Sequence, residues 1–169
     1  ELGTLVKDTR DNNQYAMFLH GGDSLAPSAM SSFDYGTHMI DILNSIEPEV
    51  MAVNEREFAY KEDELVLRIG EAAFPFVSTN LFDPLTGENL EGVETHQCFE
   101  YDDHKICVVS VLDPRVSETY LPERVKTKNS FEELELEAAN LRAKGADLII
   151  LLAGYEFDEI QKLLEADKI

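Results

Sequence analysis

The chain has 169 residues, 44% of them hydrophobic, with 34 acidic against 14 basic residues and a formal net charge of -20. That length is ordinarily one domain with a real core. A field of that sign repels phosphate backbones and anionic membranes, so neither nucleic acid nor an acidic bilayer is an expected partner.

The chain opens directly on a helical pattern at Glu1, without a signal-peptide pattern, as a mature fragment of a longer protein does. Leu2, Leu5 and Val6 fall at helical spacing, and Lys7 to Asn13 reads as a polar exit. Tyr15 to Leu19 is a short apolar strand that breaks at Gly21-Gly22. Asp23 and Ser24 then begin a loop containing Pro27. Met39, Ile42, Leu43 and Ile46 follow the i, i+3, i+4, i+7 rule, which predicts an amphipathic helix over about 36 to 46. Val50 to Val53 is a second strand, ending at Asn54-Glu55-Arg56-Glu57. Leu65, Ile69 and Ala72 mark a third helix, and Phe76 to Thr79 a third strand. Asp83-Pro84-Leu85-Thr86-Gly87 is a turn.

An antiparallel hairpin is expected next, about Thr95 to Tyr101 and Lys105 to Leu112. A tight turn at Asp102-Asp103 sets Cys98 opposite Cys107. A disulfide there and two small buried thiols are both compatible with the pattern. Residues 115–129 read as irregular. Ser130 with Glu133 reads as a capping box opening a helix that carries Leu134, Ala138 and Leu141 and stops at Gly145. Leu148 to Leu152 has no polar alternation, as in a buried central strand. Phe157, Ile160, Leu163 and Leu164 make a last amphipathic helix. Helices thus alternate with short apolar strands, and one hairpin interrupts them. The fold class is α/β with a mainly parallel sheet. No apolar run approaches the roughly 18 residues that span a bilayer.

In such sheets, sites form at the carboxyl ends of strands. Four ends can be read: His20 to Asp23, Asn54 to Glu57, Asn80, and Ala153-Gly154. Asp23 and Glu55 are hard oxygen ligands suited to magnesium, manganese or calcium. Gly-Gly-Asp-Ser is equally a good turn followed by a helix cap. His20, His38, His96 and His104 show no ligand spacing, and only His20 lies near a candidate site. Nothing marks Ser24 as a nucleophile.

The order of these motifs resembles the calcineurin-like metallophosphoesterases, in particular the catalytic domain of the 5'-nucleotidase and UDP-sugar hydrolase branch. His20-Gly21-Gly22-Asp23-Ser24-Leu25 is similar to that branch's Asp-x-Gly-Asp-Ser/Ala-Leu. Phe33 to Gly36 with His38 to Asn44 resembles its next helix. Met51 to Tyr60 is similar to the stretch around Gly-Asn-His-Glu-Phe-Asp-Tyr. Phe74 to Asn80 resembles its Phe-Pro strand. Asp102-Asp103 falls at its Asn-Gly hairpin turn. Gly145 to Ile150 resembles its Gly-Ala-Asp-hydrophobic strand. The resemblance implies layered sheets flanked by helices, formed as one domain over 1–169. The family's Asp-x-His strand would precede Glu1 and its Gly-His-x-His strand would follow Ile169, so the domain is read as partial.

In that family two divalent metals polarise a phosphoester and activate a water. Carried over by position, Asp23 matches the metal-bridging aspartate and Glu55 the metal-binding asparagine. Arg56 stands at the histidine that assists the transferring phosphoryl group. Ala153-Gly154 stand where the family has Thr-His. Arg56 and Asn80 are the candidate substrate-binding residues. Arg56 attracts phosphate but stays protonated, so it cannot serve as a switchable acid or base. With most ligands replaced, no catalytic residue is assigned. The leading expectation is a degenerate domain acting in ligand sensing or partner binding. The alternatives are an active phosphohydrolase with altered ligation and a structural module. An active form would use manganese, magnesium, zinc or calcium on a nucleotide or small phosphoester. The resemblance also implies a periplasmic or exported location and fusion to further domains.

Overall fold

The computed structural model describes the backbone of residues 1–165 and the side chains of residues 1–161. The first helix, α1, spans Leu2–Asn12. It runs through the stretch expected as a polar exit, because Arg10 is tied to the Ile46 and Glu47 carbonyls and to the Glu49 carboxylate. Leu2 and Leu5 remain exposed on it.

The strands β1 (Leu19–His20), β2 (Val50–Ala52), β3 (Phe76–Val77) and β5 (Val93–Glu94) form a parallel sheet in that order. β4 (Leu81–Phe82) pairs antiparallel with β8 (Lys126–Thr127). A second main sheet has the order β6 (His96–Tyr101), β7 (His104–Val111), β9 (Leu148–Ala153). β6 and β7 form the expected hairpin, and β9 lies parallel to β7. The two sheets meet over Val50, Val77 and Val108, with Leu19, Ile150 and Leu152 partly covered beside them. The Thr79 N–H donates to the Ser110 carbonyl at 2.7 Å and ties β3 to β7. This is the layered α/β architecture expected from the alternation of elements.

The largest core lies on the other face of the parallel sheet. There Leu25, Ile40, Leu43, Met51, Phe58, Leu65 and Phe76 pack together. They come from α3 (Thr37–Ile46), α4 (Lys61–Glu71), the strands, the loop after β1 (Leu25) and the 3₁₀ turn after β2 (Phe58), and α3 and α4 place their apolar faces inward. A short helix, α2 (Ser31–Asp34), precedes α3. Residues 115–129 are less irregular than expected. They contain α5 (Val116–Thr119) and β8, both too short to leave a periodic signal.

Helix α6 spans Ser130–Ala143. Its cap is Asn129, whose Oδ1 accepts from the Phe131 and Glu132 N–H groups, so the expected capping box at Ser130 does not form. Ser130 is instead the first helical residue and is buried, its hydroxyl donating to the Leu112 carbonyl. β9 is not the central strand that its apolar run suggests. Among the described residues it pairs with β7 alone, and its residues are half-buried or exposed. The last helix, α7, spans Phe157–Glu165. The expected apolar positions Leu163 and Leu164 lie outside the described side chains.

Cys98 and Cys107 form a disulfide across β6 and β7, with Cα atoms 4.1 Å apart. Counting back from the closing pair Tyr101–His104, this is a non-hydrogen-bonded pair, where facing residues approach closest. That register brings the thiols within bonding reach.

Candidate functional site

A polar cleft of about 490 Å³ opens at the carboxyl ends of β1, β2 and β9. Asp23, Asn54, Glu55, Arg115, Thr119, Ala153, Gly154, Tyr155 and Glu156 line it. Ala153 ends β9, and the others come from segments that follow a strand or from α5 and the chain just before it, as expected for a sheet of this class.

The loop carrying Asp23 is held by one buried carboxylate. Glu57 Oε2 accepts from the Asp23 and Asn54 N–H groups at 2.8 and 2.9 Å. Its Oε1 accepts from the Ser24 N–H at 2.9 Å and the Leu25 N–H at 3.4 Å. Glu57 belongs to a 3₁₀ turn, Glu55–Phe58, and closes a capping box on Asn54. Burial pushes its carboxyl up to about 7, against the opposing pull of the N–H donors. Gly22 has φ +85°, and a side chain there would meet the Ala52 carbonyl at 2.7 Å. Glycine at this position lets the loop approach β2. Asp23 itself has φ +59°. His20 turns its Nδ1 to accept from the Gly22 N–H at 3.1 Å, and burial lowers its pKa.

Both oxygens of Asp23 are engaged within the chain. Oδ2 accepts from Asn54 Nδ2 at 3.1 Å, and Oδ1 accepts from the Arg56 N–H at 3.0 Å. Asn54 in turn fills the space beside Gly154. A β-carbon at Gly154 would stand 2.1 Å from Asn54 Oδ1.

Arg115 supplies the guanidinium among the lining residues. Its Nε donates to Asp113 Oδ2 at 2.7 Å and its N–H to Asp113 Oδ1 at 2.8 Å. The Asp113 side chain is 4% exposed and that of Arg115 58%, so the pair is anchored inside and reaches outward. Asp113 holds the Arg115 pKa above its usual value. Burial and Asp113 push the Glu55 carboxyl up, and Arg115 opposes them. With Arg115 paired to Asp113, the carboxylates of Asp23, Glu55 and Glu156 set the sign of the cleft.

Of the residues expected from sequence, Asp23 and Glu55 are brought together in this cleft. Arg56 is exposed and is not among the lining residues, although its backbone N–H touches Asp23. Asn80 is fully buried. It donates to the Leu112 carbonyl and to Ser130 Oγ, both at 2.8 Å, and accepts from the Leu112 N–H at 2.9 Å. It braces the end of β7 rather than facing the cleft. Sequence reasoning took Asn54 and Glu57 only as parts of a strand end, and passed over Arg115, Tyr155 and Glu156. The Asn-x-x-Glu spacing at 54 to 57 is a readable capping signal. Asp113-Pro114-Arg115 ends the second hairpin strand and was another strand end to inspect.

The fit to a pair of divalent cations is poor. Asp23 has both oxygens engaged by donors of the chain, the position of Gly154 is closed by Asn54, and a guanidinium lines the cleft. Among the described residues, no group of three or more His, Cys, Asp or Glu could hold a metal ion. These donors do not make up the set that two hard cations need.

No protein-family model and no curated protein matches the chain. Solved structures do. Haemophilus influenzae NAD nucleotidase (NadN) superposes with a TM-score of 0.88 at 16% identity, over 96% of this chain and 32% of that one. A 5'-nucleotidase precursor from Thermus thermophilus gives 0.84 at 19% identity, over 94% and 32%. The calcineurin-like phosphoesterase YfkN from Bacillus subtilis gives 0.75 at 21% identity, over 89% and 52%. The chain therefore spans about a third of the length of NadN and of the 5'-nucleotidase precursor. It has the fold of the calcineurin-like metallophosphoesterases, in the form found in their 5'-nucleotidase branch.

Proposed function

We propose that this chain is a 5'-nucleotidase-like metallophosphoesterase domain that no longer hydrolyses phosphoesters and acts in ligand sensing or partner binding. The observation that carries this reading is the Asn54 side chain. It occupies the space beside Gly154 and donates to the Asp23 carboxylate. A histidine cannot stand at 154 while Asn54 keeps this position. The carboxylates of Asp23, Glu55 and Glu156 also repel a phosphoester that lacks metal compensation.

The reading includes a single domain over 1–169. It also includes export. A disulfide between Cys98 and Cys107 fits an oxidising compartment, and one structural neighbour is a nucleotidase precursor.

A second reading is an active phosphohydrolase with altered ligation. It is favoured by one observation, that Asp23 and Glu55 line the same cleft. Hydrolysis of p-nitrophenyl phosphate and of AMP with added manganese separates the two. The degenerate domain gives no turnover above buffer. Turnover abolished by Asp23→Ala establishes the enzyme and removes the first reading.

A further inference from the structure

A cavity of about 440 Å³ lies between the β4–β8 ribbon, the turn after β4 and one face of α6. Every residue lining it falls between Thr79 and Asn140, and it shares none with the cleft at Asp23. Its size is that of a small-molecule site, and such sites combine an apolar wall with a few polar groups. Leu81 and Phe82 supply the wall, joined from α6 by Leu136, which is 66% exposed. Glu133, Glu137 and Asn140 follow helical spacing and share one face of α6. Glu88 joins them from the turn.

The polar groups left open in this lining are mostly acceptors. Its donors are engaged inside the chain. Thr79 Oγ1 donates to the Thr95 carbonyl at 2.8 Å, Asn89 Nδ2 to the Ser78 carbonyl at 2.7 Å, and Asn140 Nδ2 to Glu137 Oε2 at 3.3 Å. Glu137 Oε1 is shut off from water and accepts no hydrogen bond. His96 Nδ1 stands 2.6 Å from it and attracts it only as a protonated ring. Among the described residues nothing pairs with the Glu88 carboxylate.

The carboxylates of Glu88, Glu133 and Glu137 outnumber the one ammonium of the lining, Lys128, so an anionic ligand is repelled. Lys128 shows what the cavity favours. Its Nζ lies 5.9 Å from the centre of the Phe82 ring and 3.4 Å from Glu133 Oε2. It is an alkylammonium held by an aromatic face and a carboxylate. A ligand group of the same kind meets the open Glu137 and Glu88 carboxylates beside the same wall.

We propose that this cavity is a binding site for a small aliphatic amine. The Glu137 carboxylate receives its ammonium group, Glu88 and Glu133 add attraction, and its stem lies on Phe82 and Leu136. Lys128 competes with it for the Phe82 face. The site stands whether or not the domain hydrolyses phosphoesters.

The test titrates the 169-residue chain by calorimetry with cadaverine, pentanediol and glutarate, which share a five-carbon stem and differ in charge. Cadaverine is expected to bind saturably, the diol and the diacid not to bind, and amide shifts in NMR spectra to be confined to residues 79–96 and 126–140. Glu137→Gln is expected to weaken binding about tenfold, and Phe82→Leu about threefold. Asp41→Asn, at an exposed position on α3, is expected to leave it unchanged. Lys128→Gln removes the competing ammonium and is expected to tighten binding. That variant lies at the surface, so it keeps the test decisive if Glu137→Gln does not fold. Any of four results would overturn the proposal: no saturable binding of cadaverine, equal binding of the diol, equal losses in Asp41→Asn and Glu137→Gln, or weaker binding in Lys128→Gln. Equal losses would reduce the effect to the general attraction of a chain with net charge -20 for cations.

Discussion

Gly154 and Asn54 are complementary. The missing side chain of one is the space that the other fills, with a hypothetical β-carbon at 154 only 2.1 Å from Asn54 Oδ1. Any side chain at 154 must displace Asn54, which also holds Asp23 and the 3₁₀ turn after β2. Gly154→Ala is therefore expected to destabilise the fold by about 1–3 kcal/mol, the usual range for overpacking. Asn54→Gly made in the same chain should recover part of that loss. A double-mutant cycle by chemical denaturation measures the coupling, and additive costs would show that the two residues do not share this space.

Glu57 gathers four backbone N–H groups on one buried carboxylate. Glu57→Gln turns an amide N–H₂ toward donors that need an acceptor, and should cost about 2–3 kcal/mol at acid pH. The pH dependence has a definite sign. Burial raises the folded-state pKa to about 7, above the ordinary 4.5. The stability linked to this group is then fully present below 4.5 and is lost as pH rises through about 7. His20 works in the opposite sense. Its folded-state pKa is lowered from 6.5, so its contribution is present above 6.5 and lost as pH falls through the folded value. Comparing wild type with Glu57→Gln cancels the histidine. The stability gap should be widest at pH 4.5 and narrow toward about pH 8, read from urea midpoints. A gap that widens with pH would mean that the N–H donors outweigh burial.

The alternation of helices with short apolar strands was legible because periodicity records burial, and the hairpin was legible because its turn and cysteines fix its register. The half-burial of β9 was not legible. A run such as Leu148 to Leu152 shows which side chains are apolar and not how fully each is covered. Asp23 and Glu55 could be read as strand-end carboxylates. The engagement of Asp23 by Asn54 could not, because it depends on how closely the loop after β9 approaches β2. Arg115 escaped notice because its partner Asp113 is only two residues away and reads as an ordinary turn.

Asn80 illustrates the same limit at one residue. By position it follows a strand and could face a ligand, yet it is sealed between β3, β7 and α6. Asn80→Ala leaves the Leu112 N–H and carbonyl without this partner and should cost about 2–3 kcal/mol. Thermal unfolding measures the loss. If Asn80→Ala left stability unchanged and altered only ligand binding, the bracing role would be wrong.

The Cys98–Cys107 bridge closes a short loop, with a sequence separation of 9. On the chain-entropy view it contributes about 2–3 kcal/mol by restricting the unfolded hairpin. The bridge also sits on the strand that separates β6 from β9, with Cys107 fully buried in the core under α6. Replacing both cysteines with alanine should therefore lower stability by about that amount and leave the fold intact. Peptide mapping under non-reducing conditions checks the bond, and denaturation with and without reductant checks its contribution. Equal stability of the oxidised and reduced chains would place the hairpin's stability in its pairing and core contacts alone.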